Sequence, residues 1–236
     1  MILCIDSGNT RIKWGLRDGD RWLSEGALLQ ADIGQLGERL KHLPPPERVM
    51  VANVAGPVAA GAIERAFAAW RERLEFVQSS AQAGGVQNGY AEPARLGVDR
   101  WCALVGARNR VQTDCLVVGA GTATTIDTLD AEGNFLGGLI LPGFDLMRAS
   151  LARNTAGLPL AQGKHEAFPR CTDDAIFSGC LEAQLGAIDR AFARIAGRPG
   201  ALCLVFGGAA PLLLDHLSMP CRRVDTLVLD GLFHLA

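Results

Sequence analysis

Two segments of this chain share one local pattern, in which a hydrophobic run ends in a glycine-containing turn and an apolar stretch follows. The first leads from Met1–Ile5 into Asp6-Ser7-Gly8-Asn9-Thr10, and the second from Cys115–Val118 into Gly119-Ala120-Gly121-Thr122. Each pattern predicts a strand, a tight turn and a second strand. The repeat indicates an internal duplication, so we expect the chain to fold into two similar halves.

The first turn has the composition of an anion-binding site. Gly8 lets a ligand approach the backbone closely, and consecutive N–H groups form a concavity that suits a phosphate. Asp6 beside it is suited to hold a hydrated divalent cation on nucleotide phosphates. An ordinary hairpin turn explains the same residues equally well when they are considered alone.

Two lobes that each present a phosphate-binding hairpin turn are the arrangement of the actin/sugar-kinase/Hsp70 class of ATP-dependent proteins, which this chain resembles. The remaining pattern is α/β. Strands are predicted at 21–26, 48–54, 75–77, 134–141, 201–206 and 222–224, helices at 32–42, 57–74, 98–110, 144–154, 173–196 and 227–235, and a loop at 78–89. Three antiparallel strands followed by alternating helix and strand, twice, predict two RNase H-like lobes, 1–110 and 111–236.

Composition excludes several classes of protein. The chain has 236 residues, of which 49% are hydrophobic and 20% charged, as in a folded globular protein. A net charge of −2 without a Lys/Arg block argues against nucleic acid as a partner. No apolar run reaches membrane-spanning length, and Asp6 interrupts the first one too early for a signal peptide.

The seven cysteines are spread along the chain without a Cys-x-x-Cys pair. This spacing argues against a structural zinc site. Most of them fall in apolar strands or helices, where a free thiol behaves as a small buried hydrophobe. A reducing cytoplasm is therefore the expected location.

Asp99 is the leading candidate for catalysis. It follows Gly97 at the start of a predicted helix, and Tyr90, the only tyrosine, lies just upstream in a polar loop. A carboxylate there could accept the proton of a substrate hydroxyl that attacks a γ-phosphate, and Arg100 could bind a substrate carboxylate. The alternative is a carboxylate that only stabilises the helix N-terminus.

Three further segments have both a structural and a functional interpretation. Gly137-Gly138 indicates a tight sheet bend or a ligand pressed against the backbone. Gly207-Gly208 indicates an ordinary strand-to-helix turn or an adenine or ribose site. Thr172 precedes Asp173-Asp174 as a good N-cap residue, and capping alone explains it.

In combination these motifs resemble type III pantothenate kinases, the family that includes the Bvg accessory factor proteins. The matching segments are 6–13, Tyr90 with 97–100, 121–127, 137–143, 172–179 and 227–232. They span nearly the whole chain in order.

The resemblance implies ATP-dependent phosphorylation of pantothenate to 4'-phosphopantothenate, the first step of coenzyme A synthesis, by a homodimer with substrate sites at its interface. It makes Asp99 the general base. It implies that ATP is bound by Asp6, Ser7, Gly8, Asn9, Thr10, Arg11, Ile12, Lys13 and Thr122, with Asp6 near Mg²⁺. It implies that pantothenate is bound by Tyr90, Gly97, Val98, Asp99, Arg100 and Thr172.

Gly119 departs from the family pattern, which has an aspartate at this position that helps bind an activating K⁺ or NH₄⁺. Glycine has no carboxylate, so we expect cation binding to be weakened. An alternative hypothesis is therefore a weakly active or inactive member with a binding or regulatory role. A sugar or acetate kinase of the same superfamily fits the Tyr90 and Gly97–Arg100 motifs less well.

Overall fold

The computed structural model describes residues 1–160 and 162–236. Contacts between Cα atoms divide them into two compact units. The first contains Met1–Gln112, Gly133–Phe135 and Thr226–Ala236, and the second contains Thr113–Glu132 and Leu136–Asp225. The predicted lobe boundary at residue 110 differs from this division chiefly in the C-terminal segment, which joins the first unit.

The first unit contains a five-stranded sheet of order β3-β2-β1-β4-β5. Its strands are β1 (Ile2–Ser7), β2 (Arg11–Asp18), β3 (Arg21–Leu29), β4 (Arg48–Asn53) and β5 (Leu74–Phe76). Its helices are α1 (Leu36–Leu40), α2 (Gly56–Ala66), α3 (Val98–Arg110) and α7 (Leu227–His234). Strands β1, β2 and β3 pair antiparallel, and β4 is parallel to both β1 and β5.

The second unit repeats this topology with the order β10-β9-β8-β11-β12. Its strands are β8 (Cys115–Ala120), β9 (Ala123–Leu129), β10 (Asn134–Pro142), β11 (Leu202–Phe206) and β12 (Cys221–Arg223), and its helices are α4 (Phe144–Asn154), α5 (Thr172–Phe192) and α6 (Ala210–Leu214). The first two residues of β10, Asn134 and Phe135, belong to the first unit. β8 is antiparallel to β9 and parallel to β11, as β1 is to β2 and β4. The predicted duplication is therefore confirmed at the level of strand order.

Alternation along β1 separates core residues from site residues. Leu3 and Ile5 are fully buried in a cluster with Leu36, Leu40 and Ile63 of the flanking helices. Successive side chains of a strand point to opposite faces. Asp6 therefore projects from the face opposite that cluster.

Helices α3 and α7 pack in unusually close contact. A Cβ built on Gly106 would lie 2.1 Å from the carbonyl oxygen of Leu227, and one on Gly231 would lie 1.8 Å from that of Cys102. Asp230 of α7 is 3% exposed, and Arg110 and Arg17 donate to its carboxylate at 2.7 and 3.4 Å. Because these partners come from β2 and α3, the C-terminal helix belongs to the first unit.

Several predicted boundaries are wrong. The segment predicted as one helix at 32–42 is a 3₁₀ helix at Gln30–Gln35 followed by α1. The helix predicted at 57–74 breaks at Phe67, after which Ala68–Arg73 is a 3₁₀ helix. The predicted loop at 78–89 contains two short strands, β6 (Gln82–Ala83) and β7 (Val86–Asn88), which pair with each other.

Candidate functional site

The turn between β1 and β2 is a tight, exposed hairpin in the first unit. Ser7 is paired with Ile12, and the Gly8 amide donates to the Arg11 carbonyl at 3.0 Å. The tip residues Asn9 and Thr10 are exposed. The geometry therefore leaves the tip open to a ligand close to Asp6, which lies three positions before Asn9.

Asp6 lies in an electrostatically unfavourable position for a carboxylate. It keeps some solvent contact, but protein surrounds it on most sides. Burial raises the pKa of its carboxyl from 3.8 to about 7, the Lys13 ammonium opposes this rise, and the Asp99 carboxylate adds to it. Asp6 and Asp99, 93 positions apart in the printed sequence, therefore interact within the first unit.

Asp99 lies in the first turn of α3, where the helix dipole favours a negative charge. Its Oδ1 accepts the backbone N–H of Arg100 at 2.8 Å. A Cβ built on Gly97 would lie only 2.8 Å from that same oxygen. Glycine at 97 therefore leaves room for the carboxylate, which is held in one orientation at the helix start.

Arg100 is buried in an aromatic environment. It is 5% exposed, and its Nη1 donates to the Tyr90 hydroxyl at 2.8 Å. The Tyr90 and Phe135 rings stack with centroids 5.6 Å apart, and the guanidinium carbon lies 5.6 and 5.8 Å from their centres. A buried guanidinium requires such partners, because an isolated buried charge is strongly unfavourable.

Phe135 is the site residue that the sequence reasoning missed. It follows Asn134 at the start of β10, and Asn134 and Phe135 pair in parallel with Gln87 and Asn88 of β7. A Cβ on Gly89 would lie 2.1 Å from the Phe135 carbonyl oxygen. The available signal was a phenylalanine two positions before the Gly137-Gly138 pair.

Asn88 holds the loop that carries Tyr90. Its side-chain amide donates to the carbonyls of Ser80 and Pro93, both at 3.1 Å, and its Oδ1 accepts the Tyr90 backbone N–H at 3.1 Å. The Asn88 side chain therefore holds the backbone of the segment that carries Tyr90.

In the second unit, glycine-containing segments converge on the turn between β8 and β9. The Gly143 amide donates to the Thr122 carbonyl at 2.9 Å, and a Cβ on Gly143 would lie 2.1 Å from the Gly121 carbonyl oxygen. Gly207 has a φ of +103°, and its Cβ would lie 2.3 Å from the Ala120 carbonyl oxygen. Thr122 is exposed at the tip. These backbone contacts form a cradle of small residues around the turn.

Thr172 is not the N-cap of α5, which corrects the capping interpretation. The helix begins at Thr172, its N-cap is Cys171, and no side chain caps it. Thr172 instead lines a groove of about 610 Å³ within the second unit, with a largely apolar wall that includes Pro142, Met147, Ile176 and Cys180.

The glycine pair in β10 makes a bend. Gly137 has a φ of +121°, a backbone conformation that favours glycine, and no atom lies within 4 Å of a Cβ built there. The positive φ therefore confirms the bend, and a ligand held against this backbone stays a prediction.

Metal-binding clusters and membrane-crossing helices are both missing from the described residues. Across 1–160 and 162–236, no three His, Cys, Asp or Glu side chains are grouped to hold a metal ion. Within the same ranges no helix is long and apolar enough to cross a membrane.

Comparison with known structures defines the fold class. A Campylobacter jejuni protein described as a Baf family transcriptional activator superposes with a TM-score of 0.67 at 21% identity, covering 99% of this chain and 96% of that one. A Sinorhizobium meliloti protein described as a 2-dehydro-3-deoxygalactonokinase gives 0.58 at 14% identity, covering 99% and 97%. The fold is that of the actin/sugar-kinase/Hsp70 class, with two RNase H-like lobes.

Sequence comparison is more specific. The family model for type III pantothenate kinase matches residues 2–194. Proteins named type III pantothenate kinase from Dechloromonas aromatica (strain RCB) and Aromatoleum aromaticum are each 53% identical to this chain. They align over 100% and 98% of it and over 99% and 96% of their own length. The chain therefore belongs to the type III pantothenate kinase family.

Proposed function

We propose that this chain transfers the γ-phosphoryl group of ATP to the primary hydroxyl of pantothenate, which yields 4'-phosphopantothenate for coenzyme A synthesis. Membership of the family supports the reaction. The observation that carries the assignment to residues is the interaction of two carboxylates, Asp6 at the end of β1 and Asp99 at the start of α3.

Asp99 is the proposed general base. One of its oxygens accepts the Arg100 backbone N–H, and this bond orients the carboxylate. The other oxygen is proposed to accept the proton of the pantothenate hydroxyl as the hydroxyl oxygen attacks the γ-phosphorus and ADP leaves. Orientation by a backbone group costs no reorganisation during the reaction.

The hairpin turn is proposed to bind the ATP phosphates. Ser7, Gly8, Asn9, Thr10, Arg11, Ile12 and Lys13 form this turn and its flanks in the first unit, and Thr122 lies at the equivalent tip of the second. Backbone N–H groups and the cationic side chains of Arg11 and Lys13 match a triphosphate in charge.

Asp6 fits a magnesium ion. The ion prefers a hard oxygen donor with few protein ligands and completes its shell with phosphates and water. Burial and the Asp99 charge raise the pKa of Asp6 and so disfavour its ionised form, which a nearby cation would stabilise. When bound, Mg²⁺ would neutralise charge on the phosphate oxygens.

Pantothenate is proposed to bind beside α3. Arg100 would pair with its carboxylate, Tyr90 would hold Arg100 in place, and Gly97 and Val98 would offer backbone contacts. Thr172 of α5 is proposed as a further pantothenate contact made across the homodimer interface, as the family resemblance implies.

A second copy of the chain is the proposed partner. Leu136 and Ile140 of β10 are 55% and 65% exposed, and Leu139 is also exposed. Removing these exposed apolar side chains from water is favourable, so β10 is proposed to lie at the dimer interface. Sedimentation of the purified chain as a monomer at micromolar concentration would contradict a homodimer.

A cytoplasmic location is proposed because the seven cysteines are free thiols.

The K⁺ or NH₄⁺ ion implied by the family resemblance does not fit the residues present. Gly119 supplies no carboxylate, and the space for a side chain there is taken by neighbours. No catalytic role is therefore assigned to such an ion.

A purely regulatory role has no support. The Campylobacter jejuni structure, at 21% identity, establishes the fold alone. Asp6, Asp99 and Arg100 are all present. Catalysis is therefore our conclusion.

Pantothenate-dependent ADP release tests the proposal. We expect Asp99→Asn to lower kcat by about 100-fold or more, because it removes the base. Asparagine keeps an oxygen that can accept the Arg100 N–H, so the fold should persist. The matched control is Asp20→Asn, since the Asp20 side chain is fully exposed. Equal turnover of Asp99→Asn and the control would refute the assignment.

A further inference from the structure

We infer that this chain works without a monovalent cation beside the nucleotide, because the side chains of Phe206 and Thr125 take the place of the missing carboxylate at position 119. The inference rests on the proposed function, since it concerns the cation requirement of that same reaction. It predicts a kinase that is insensitive to potassium.

Gly119 is the middle member of a row across three strands. Its Cα is opposite that of Thr125 in β9 and that of Phe206 in β11. Residues directly opposite in a sheet project to the same face, so these two side chains flank the glycine. The next residues in sequence, Val118, Ala120 and Val205, belong to the core formed with α4, α5 and α6. The row therefore lies on the other face of the sheet.

In the present packing a side chain at position 119 would collide with two neighbouring side chains. A Cβ built on the glycine would lie 2.8 Å from Oγ1 of Thr125 and 2.9 Å from Cζ of Phe206, with Cε1 of the same ring at 3.4 Å. Both neighbours would have to move before an aspartate could be accommodated. The glycine and the phenylalanine therefore form a matched pair across β8 and β11.

The groups that fill this space are poor ligands for an alkali cation. Cζ and Cε1 belong to the edge of the Phe206 ring, which is the positive part of its quadrupole. The Thr125 hydroxyl is a single oxygen, whereas K⁺ sites replace a hydration shell with several oxygens. Asp127 lies on the same face by register, but it is 1% exposed and has an interaction of its own.

Loss of the carboxylate and loss of the cation compensate each other in charge. If only the cation were lost, an aspartate at position 119 would leave an uncompensated negative charge near the triphosphate and repel it. Removing both leaves the net charge at the site unchanged. Phosphate binding can therefore persist, which is consistent with Asp6, Lys13 and Thr122 being retained.

Salt substitution on the full-length chain tests the inference. The melting temperature, the Kd for Mg²⁺-ATP and the rate of pantothenate-dependent ADP release are measured in potassium chloride and in choline chloride at equal ionic strength. We expect the Kd and the rate to differ by less than about twofold, with no potassium-specific rise in melting temperature. A change of about tenfold in either constant, or potassium-specific stabilisation, would overturn the inference.

This design separates the two proposals. Absence of ADP release in both salts would contradict the proposed kinase reaction, whereas the melting temperatures would still decide whether potassium binds. A potassium-dependent kinase would confirm the reaction and refute the inference.

Two variants test the matched pair. Gly119→Asp combined with Phe206→Ala clears the ring and restores the carboxylate, so we expect potassium to improve the Kd for Mg²⁺-ATP by about tenfold. Phe206→Ala alone is the control and should show no potassium response. A folded double variant without such a response would refute the role of the ring. If the double variant does not fold, the wild-type salt comparison decides.

Discussion

The contact between α7 and α3 gives the sharpest prediction about how the fold positions the candidate base. Gly231 faces α3, where a Cβ would lie 1.8 Å from the Cys102 carbonyl oxygen and 2.5 Å from its carbon. Ordinary contact begins at 3.4 Å, so Gly231→Ala would force the helices apart by about 1.6 Å. The obstacle is helix backbone, which cannot rotate away as a side chain could.

The expected cost follows from two opposing terms. Overpacking a buried contact costs about 1–3 kcal/mol, and a backbone clash belongs at the upper end. Alanine in a helix recovers about 1 kcal/mol relative to glycine. A net loss of about 2 kcal/mol lowers Tm by about 4–8 °C in a chain of this size. Because Asp99 lies one turn before Cys102 in α3, we also expect kcat to fall by about 100-fold if the base moves by about 1 Å.

Thermal unfolding and steady-state kinetics check both effects. The matched control is Gly186→Ala in α5, where no atom lies within 4 Å of the added Cβ, so that Tm should rise or stay constant. A Gly231→Ala variant as stable and as active as the wild type would refute the close packing of α3 against α7.

Two further predictions concern the site itself. Tyr90→Phe removes the hydroxyl that accepts from Arg100 but retains the ring stacked on Phe135. We expect KM for pantothenate to rise about tenfold, since a hydrogen bond to a charged group is worth about 1.5–3 kcal/mol, and an unchanged KM in steady-state kinetics would contradict this role. For Asp6, the folded pKa of about 7 exceeds the ordinary 3.8, so the folded state binds the proton more tightly. This contribution to stability is fully present below pH 3.8 and is lost as the pH rises to about 7. Urea unfolding measured between pH 3.8 and about 7 should therefore show that the free energy of unfolding falls more steeply with pH for the wild type than for Asp6→Asn. Equal slopes for the two proteins would count against the raised pKa.

Elements with strong local signals were predictable. Helix α3 has the predicted bounds, because Gly97 precedes it and apolar residues recur along its length. The hairpins β1–β2 and β8–β9 also follow from local turn chemistry, in which a glycine-containing turn separates two apolar strands.

Elements held by distant partners were not predictable. Strands β6 and β7 have two and three residues, too few for a periodic signal. β7 acquires its strand character by pairing with Asn134 and Phe135. Phe135 was missed as a site residue for the same reason, since its stacking on Tyr90 depends on that pairing.

By itself, the sequence determined the duplicated strand–turn–strand pattern, the identity of the polar residues at each turn and the start of α3 at Val98, because these depend on neighbours within a few positions. Only the tertiary structure decided which of these residues interact. It placed the Asp99 charge near Asp6, packed the C-terminal helix on α3 through Gly106 and Gly231, and set Phe206 against Gly119. Each of these contacts joins residues about 90 or more positions apart. Such contacts depend on how sheets and helices pack, and no local pattern of residue types specifies that.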